Sequence, residues 1–345
     1  KSCNVTKQGG MFPMNIKDIA ALADTSVATV SRVINNDEHV SDETRKRVLE
    51  VIQAADYKPN LMGRALRSKT TGKILLMIPS ISNPFYSRVL EGVEQRAHAR
   101  GYDTMTCITH RDPNSETRYL DLVRTKQVDG VISSSTTLPK EKIAQFAAKY
   151  PFVLCSARTD SPRICYTCID NIAASMDAIE HFVKTGHTRI AFINGPFGRA
   201  YERDREEGYR RALQVHGIPF REEYLCACDY NYTGGYDACE ELMSLPEPPT
   251  AIFTSSDQTA AGVIKYLLKI GKTPGKDVDV IGFDGTFLSE LCTPSISSIE
   301  QPGYSLGMTA VDLLYEQITD PQFITKRVVI AHSLVLRETT HPLPG

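Results

Sequence analysis

Two consecutive series of short apolar runs, separated by amphipathic stretches, restrict this chain more than any other feature. The first series is "KILLMIP" (73–79), "YDTMTCI" (102–108), "VDGVISS" (128–134) and "PFVLCS" (151–156). Between these runs, helical patterns begin near Phe85, Glu116 and Lys140. The segment "RTDSPRICYTCID" leads to a second series, "RIAFING", "EYLCAC", "TAIFTSS" and "VDVIGFD", with helices expected from about Ile172, Glu202, Gly234 and Gln258. Strand–helix alternation implies parallel sheets with helices on both faces. Two series imply two Rossmann-like lobes, completed by "SSIEQP", a helix from Ser305 and "RVVIAHSLVLRET". Open parallel sheets bind ligands beyond the carboxyl ends of their strands, so two facing lobes would bind them in a cleft.

The chain has 345 residues, more than one ordinary domain, with 41% apolar and 23% charged residues and a formal net charge of −2. That is ordinary globular composition with ample material for buried cores. No apolar run approaches the ~18 residues that span a bilayer, so no membrane association is expected. The opening "KSCNVTKQGGMFP" is polar and has no signal-like apolar core; residues 1–13 read as a disordered leader, with Met14 as the functional start. Nine scattered cysteines suit a reducing cytoplasm better than a disulfide framework. Cys165-x-x-Cys168 could ligate zinc, but zinc wants four ligands and no second pair or nearby His-x3-His follows. "ICYTCID" reads instead as a buried strand whose thiols, like those of Cys226-x-Cys228, serve as small hydrophobes. No cofactor or metal is expected.

Residues 14–70 carry nine Lys/Arg against eight Asp/Glu, and residues 71–345 carry 28 against 33. Net charge alone does not suggest nucleic acid. The arrangement is more telling: Arg45, Lys46 and Arg47 cluster, and Arg64, Arg67 and Lys69 close the segment. Three amphipathic helices precede the lobes. Asn15 can cap the first, "NIKDIAALAD", and only "DTS" separates it from the second, with Ser26 as its cap. Ser41 caps the third, and Tyr57-Lys58-Pro59 stops it. In "SVATVSRVIN", Val27, Val30, Val33 and Ile34 share one face, while Ala28, Arg32 and Asn35 show on the other, flanked by Thr29 and Ser31. Exposed helix faces usually carry long polar residues. A face of stubs with one guanidinium suits a DNA major groove, where long side chains would hold the helix off the base edges. A small bundle packing its short residues against another domain would look the same.

The stretch "IKDIAALADTSVATVSRVINN…VSDETRKRVLEVIQAADYKPNLMGRALRS" resembles the headpiece of the LacI/GalR family of bacterial transcription factors, without a gap from about Asn15 to Ser68. The likeness continues more loosely to about residue 338. It implies a helix-turn-helix headpiece at 14–58, a hinge helix and linker at 59–70, and a bilobed core at 71–345 like the periplasmic sugar-binding proteins. Lobe 1 would take about 71–170 and 301–328, lobe 2 about 171–300 and 329–340. By position, the resemblance gives base reading to Val27, Ala28, Thr29 and Arg32, and supporting contacts to Ser31, Asn35 and His39. Tyr57 and Asn60 belong to the hinge motif, and Leu66 matches the residue that wedges into the minor groove. Gly63 stands where the family commonly has Ala and costs about 1 kcal/mol of helicity, so the hinge is expected to order only on DNA.

The same resemblance places the effector among the strand-end loops. Asn83, Phe85 and Tyr86 would give a polar tip and an aromatic wall, Arg203 a fork of hydrogen bonds and Tyr230 a stacking ring. Asp284 would accept from ligand hydroxyls and Gln301 would offer a hinge amide. Ser256 stands where sugar-binding members commonly have Asn, directly before Asp257. Ser156-Ala157 replaces a common Asp/Asn-Arg pair, with Arg158 one position late, which makes the pocket less polar than a simple hexose would need.

Two motifs compete with this reading. "GYSLG" (303–307) fits the G-x-S-x-G elbow of hydrolases, but Asp312 falls inside the next helix and His332 within an apolar strand. "GKT" at 271–273 follows a helix and has Tyr266 where a phosphate loop needs glycine. The expectation is therefore no enzyme but a homodimeric regulator, a repressor by type, on a palindromic double-stranded operator in the bacterial cytoplasm and nucleoid. A small molecule such as a sugar or derivative would gate it. The alternatives are gating by a phosphoprotein partner, as in the catabolite-control branch that "KQVDG", "PTAIF" and "IGFDGT" resemble, and a sugar-binding protein with no role on DNA.

Overall fold

The computed structural model describes residues 14–34, 36–57, 70–196 and 198–343. The chain forms two compact units, Lys1–Thr71 and Gly72–Gly345. Among the described residues of the first, three helices enclose a small core: α1 (Ile16–Leu22), α2 (Val27–Ile34) and α3 (Asp42–Ala54). Asn15 starts α1 with a capping box, its Oδ1 accepting from the Lys17 and Asp18 amides while Asp18 accepts from the Asn15 amide. The chain leaves α1 through Asp24, held at φ +45°, and the Thr25 amide donates back to the Ala20 carbonyl. Ser41 caps α3. Ile19, Ala20, Ala23, Val30, Val33, Val40 and Val48 are buried together. The hinge expected at 59–70 lies almost wholly outside the described residues, as do Asn35, Asn60, Gly63 and Leu66.

In the second unit, one sheet contains β1 (Lys73–Ile78), β2 (Asp103–Ile108), β3 (Gly130–Ser133), β4 (Phe152–Cys155), β5 (Cys165–Cys168) and β11 (Arg327–Val329). Its spatial order is β11-β5-β4-β3-β1-β2. The other contains β6 (Ile190–Asn194), β7 (Leu225–Ala227), β8 (Ala251–Thr254), β9 (Asp279–Asp284), β10 (Ser297–Glu300) and β12 (Ser333–Val335). Its order is β12-β10-β9-β8-β6-β7. Every pairing is parallel except β10 with β12.

Helices cover both faces of each sheet. On the first, α4 (Phe85–Ala99) and α12 (Gly303–Thr319) pack on one side, and α5 (Pro113–Arg124) and α6 (Lys140–Ala147) on the other. On the second, α7 (Asn171–Lys184) and α8 (Ala200–Val215) face α9 (Tyr232–Met243) and α10 (Asp257–Lys269) across the sheet. A short α11 (Phe287–Leu291) follows β9. Helices α4 and α12 touch backbone to backbone: a Cβ on Gly92 would lie 2.1 Å from the Tyr304 carbonyl oxygen, and one on Gly307 2.3 Å from that of Val89. Arg96 closes this contact with a two-pronged bond to Asp312 at 2.8 Å for each prong.

The expected strands and helices form, with shifts at their ends. Helix α5 begins at Pro113 rather than Glu116, because the Asp112 side chain accepts from the Asn114 and Ser115 amides. The run "RVVIAHSLVLRET" is not one strand. Its first part joins the first sheet beside β5, its second turns antiparallel beside β10, and His332 lies between them with Nε2 2.9 Å from Asp177 Oδ2. The chain thus passes between the sheets at residues 169–170, 301–302 and 330–332. No helix among the described residues is long and apolar enough to cross a membrane.

Candidate functional site

Helix α2 buries Val30 and Val33 and exposes Val27, Ala28 and Arg32, with Thr29 and Ser31 half-buried beside them. Ser26 Oγ accepts from the Thr29 amide at 3.1 Å and lies 2.9 Å from Thr29 Oγ1, so that hydroxyl already serves the helix start. Arg32 forms no ion pair among the described residues. The neighbouring basic cluster is less available than its sequence suggests. Arg45 donates to Asn36 Oδ1 and the Asp37 carbonyl, and Arg47 Nε to the Ala23 carbonyl at the end of α1. His39 is exposed, with Nδ1 2.9 Å from Asp37 Oδ1. Tyr57 is 8% exposed and packs into the helical core, its amide closing the turn after α3 onto the Ile52 carbonyl.

In the second unit a narrow cavity of about 30 Å³ opens at the carboxyl ends of both sheets. The first sheet's loops bring Asn83, Phe85, Tyr86, Arg111, Ser134 and Ser156 to it. The second lobe and a crossing strand bring Tyr201, Arg205, Tyr230, Asp284 and Gln301. Asp284 ends β9 at φ +101° and is buried. It accepts from Asn83 Nδ2 at 3.1 Å and Gln301 Nε2 at 2.7 Å. Burial pushes its carboxyl up to about 6, against the pull of the Arg205 guanidinium and the two amides. Arg205 lies 3.5 Å over the Phe283 ring, with Nε donating to Asn171 Oδ1 and Nη1 to the Ser255 carbonyl, both at 2.9 Å. Tyr230 donates to Glu202 Oε1 at 3.0 Å, and its ring packs so tightly on Gly195 that a Cβ there would lie 2.1 Å from the hydroxyl.

Two polar atoms on this cavity have no partner among the described residues: Ser134 Oγ and Arg111 Nε are both buried without a hydrogen bond. Such atoms cost about 1–3 kcal/mol each unless something engages them. The lobes also grip each other around the cavity. Arg158 forks onto Asp204 with Nε–Oδ2 2.5 Å and Nη2–Oδ1 2.6 Å, Gln258 Nε2 donates to the Ser82 carbonyl at 2.7 Å, and Arg111 sits 5.6 Å over the Tyr230 ring. Arg158, one position late in the sequence, is spent on this latch.

Three expected cavity residues lie elsewhere. Arg203 is exposed and donates to the Gly198 carbonyl; it faces a neighbouring cavity of about 330 Å³. The helical phase of α8 explains this. Tyr201 reaches the first cavity, and the residue one turn on is Arg205, so Arg205 is the cavity arginine that sequence reading missed. Ser256 is fully buried because its Oγ caps α10, accepting from the Thr259 amide. Asp257 is buried behind the cavity, accepting from the Thr286 amide and hydroxyl and from Ser298 Oγ. Burial, with Asp284 nearby, raises its carboxyl to about 7. The only sequence sign of these roles was the S-x-x-T spacing of a helix cap.

The remaining motifs have structural explanations. The described cysteines are all free thiols, and Cys165 and Cys168 are buried in β5. Burial raises Cys168 and Cys226 to about 11, and Cys155 and Cys228 to about 12. Ser305 sits in the first turn of α12, while Asp312 is held by Arg96 and Arg100, and His332 by Asp177.

Comparison with known proteins agrees with this architecture. Residues 71–338 match the model of periplasmic binding proteins and the sugar-binding domain of the LacI family, and residues 15–60 that of the bacterial regulatory proteins of the lacI family. Catabolite control protein A of Priestia megaterium is 34% identical over 329 residues, covering 95% of this chain and 99% of that protein. The ribose operon repressor of Escherichia coli K12 is 35% identical, over 93% of this chain and 98% of its own. The solved complex of the regulator CelR with cellobiose has 28% identity and a TM-score of 0.72, covering 94% of this chain and 99% of that one. The chain belongs to the LacI family: it is a DNA-binding transcriptional regulator whose second unit is the family's sugar-binding domain.

Proposed function

We propose that this regulator represses transcription as a homodimer on a pseudo-palindromic operator and is gated by a sugar or sugar derivative in the interlobe cavity. On this reading Val27, Ala28 and Arg32 read base edges, and the two α2 helices of a dimer enter major grooves about one DNA turn apart. The short exposed face of α2 supports it, as does membership of the family.

The single observation behind the effector reading is the pair of orphaned atoms, Ser134 Oγ and Arg111 Nε, in a cavity that also presents Asp284, Arg205 and aromatic rings. Hydroxyl groups of a sugar would engage such donors and acceptors, and a ring would stack on Phe85, Tyr86 or Tyr230. A ligand bridging both lobes would compete with, or reinforce, the Asn83–Asp284 and Arg158–Asp204 contacts. Whatever it does to operator affinity, DNA must do to its affinity by the same factor. The test is calorimetric titration of the full chain with sugars, sugar acids and nucleosides, followed by selection of duplexes from a randomised pool with and without each hit. One class should bind one-to-one and change operator affinity. Absence of any small-molecule binding, with DNA affinity changed instead by a phosphoprotein, would replace this gate by the partner-gated alternative.

A further inference from the structure

At the opposite end of β9 from the cavity, roughly 16 Å along the strand, three side chains from distant parts of the chain converge. Asp279 opens β9 and is fully buried. His187 comes from the turn between α7 and β6, and His341 from the segment after β12. Their donor atoms all lie within 4.8 Å of one another. We infer that His187 Nε2, the Asp279 carboxylate and His341 Nδ1 form a binding site for a divalent transition-metal ion, with zinc the best match.

His187 Nδ1 lies 2.9 Å from Thr250 Oγ1, a hydroxyl that also reaches the Arg189 carbonyl at 3.4 Å. In the tautomer with its proton on Nδ1, donated to that hydroxyl, the imidazole presents Nε2 as a bare lone pair. Nε2 is buried, has no hydrogen-bond partner and lies 3.1 Å from Asp279 Oδ2. In that tautomer the Nε2 lone pair faces the carboxylate, and a cation between them would satisfy both. Zinc takes nitrogen and carboxylate oxygen at about 2.0–2.2 Å, which sets neighbouring donors about 3–3.5 Å apart. Metal-ligating histidines commonly hold their ring and tautomer through a hydrogen bond from the other nitrogen, and the Nδ1–Thr250 bond supplies it.

His341 supplies the third donor when a metal displaces the proton that Nδ1 shares with Asp279 Oδ1 at 2.7 Å; its amide donates to Oδ2 at 3.0 Å. Its position is built rather than accidental. Thr339 joins the sheet, donating from Oγ1 to the Val280 carbonyl and accepting from the Ser297 amide, so the segment carrying His341 is anchored two residues away. Three protein donors leave a fourth position for water. The bound ion would tie the chain's last described segment to the second sheet.

The test uses the full chain, stripped with EDTA and dialysed, then titrated with Zn²⁺ or Co²⁺. One ion per chain should bind and raise the melting temperature. The Co²⁺ form should show weak visible bands without the intense near-ultraviolet absorption of thiolate ligation. His341→Ala, at a half-exposed position, should weaken binding at least about tenfold while the metal-free protein melts as wild type; Thr250→Val should weaken it about 10–100-fold. Cys226→Ser and Cys228→Ser should leave it unchanged. No binding at micromolar metal, a thiolate band, or affinity that survives both His341→Ala and His187→Ala would overturn the site.

Discussion

Helices α2 and α10 start alike. In each, a serine caps a threonine three residues on: Ser26 Oγ accepts from the Thr29 amide at 3.1 Å and Ser256 Oγ from that of Thr259 at 3.1 Å, with hydroxyls 2.9 Å apart in both. The residue after the cap meets a different environment in each helix. Val27 after Ser26 is 38% exposed, whereas Asp257 after Ser256 is 1% exposed and holds three donors. The cap itself only tells the chain where to start a helix. Whether the next residues meet a ligand or a core is set by what packs over them, and sequence spacing carries no record of that.

The largest expected effect tests the buried side of this pair. Asp257→Ala would leave the Thr286 amide and two hydroxyls without their acceptor, costing about 3–5 kcal/mol in urea denaturation. Val27→Ala, at the matching exposed position, should cost less than about 0.5 kcal/mol while altering preference in a duplex selection. Equal stability losses in the two variants would break the comparison. Next comes Arg32→Ala, which should weaken operator binding by about 1–3 kcal/mol and relax one base position, with denaturation unchanged. An unaltered selection profile would remove Arg32 from the readout.

The caps come third. Ser26→Ala should cost about 0.5–1 kcal/mol, as an exposed cap does. Ser256→Ala should cost more, about 1–2 kcal/mol, because Thr259 Oγ1 and its amide lose their partner with no water to replace it. A reversed order in thermal denaturation would show that burial around Ser256 is looser than the side-chain packing indicates.

The same contrast explains how much of the molecule was legible. The alternation of apolar runs located the sheet strands to within a few residues, since most are buried on both faces and must be continuously apolar. The headpiece face was legible because its residues are contiguous on one helix. The cavity was harder. Asn83, Phe85, Tyr86, Tyr230, Asp284 and Gln301 were placed by resemblance and do line it. Arg203 and Arg205 are two residues apart, and only the phase of α8, fixed by its packing on the second sheet, decides which one enters. Asp257 carries the charge a ligand site would use, yet its oxygens are consumed by Thr286 and Ser298. "RVVIAHSLVLRET" was divided between the lobes near residue 328, yet the strand drawn through His332 does not form, because an apolar run feeding two different sheets has the same pattern as one strand.

The smallest effect expected is a difference in pH response between the two units. Asp257 ionises near 7 in the folded chain because of burial, and Asp284 near 6 for the same reason, both above the ordinary carboxylate range. A carboxyl whose folded pKa is raised contributes its stability at low pH and loses it as pH rises through the folded value. His181, lowered by burial, acts in the opposite sense below about 6.5. The clean window is therefore about pH 6.5 to 8, where the second unit should lose stability as Asp257 ionises. In the first unit Asp37 is lowered by bonds from the His39 amide and ring, so its contribution is lost only in acid. The chain has 15 tyrosines and no tryptophan, and Tyr57 is the only tyrosine before residue 71, so intrinsic fluorescence follows the second unit. Urea midpoints read by fluorescence should fall across that window, and Asp257→Asn should flatten the slope. A wild-type slope that persists unchanged in the variant would mean that the pH response belongs to another group and that Asp257 is ionised throughout.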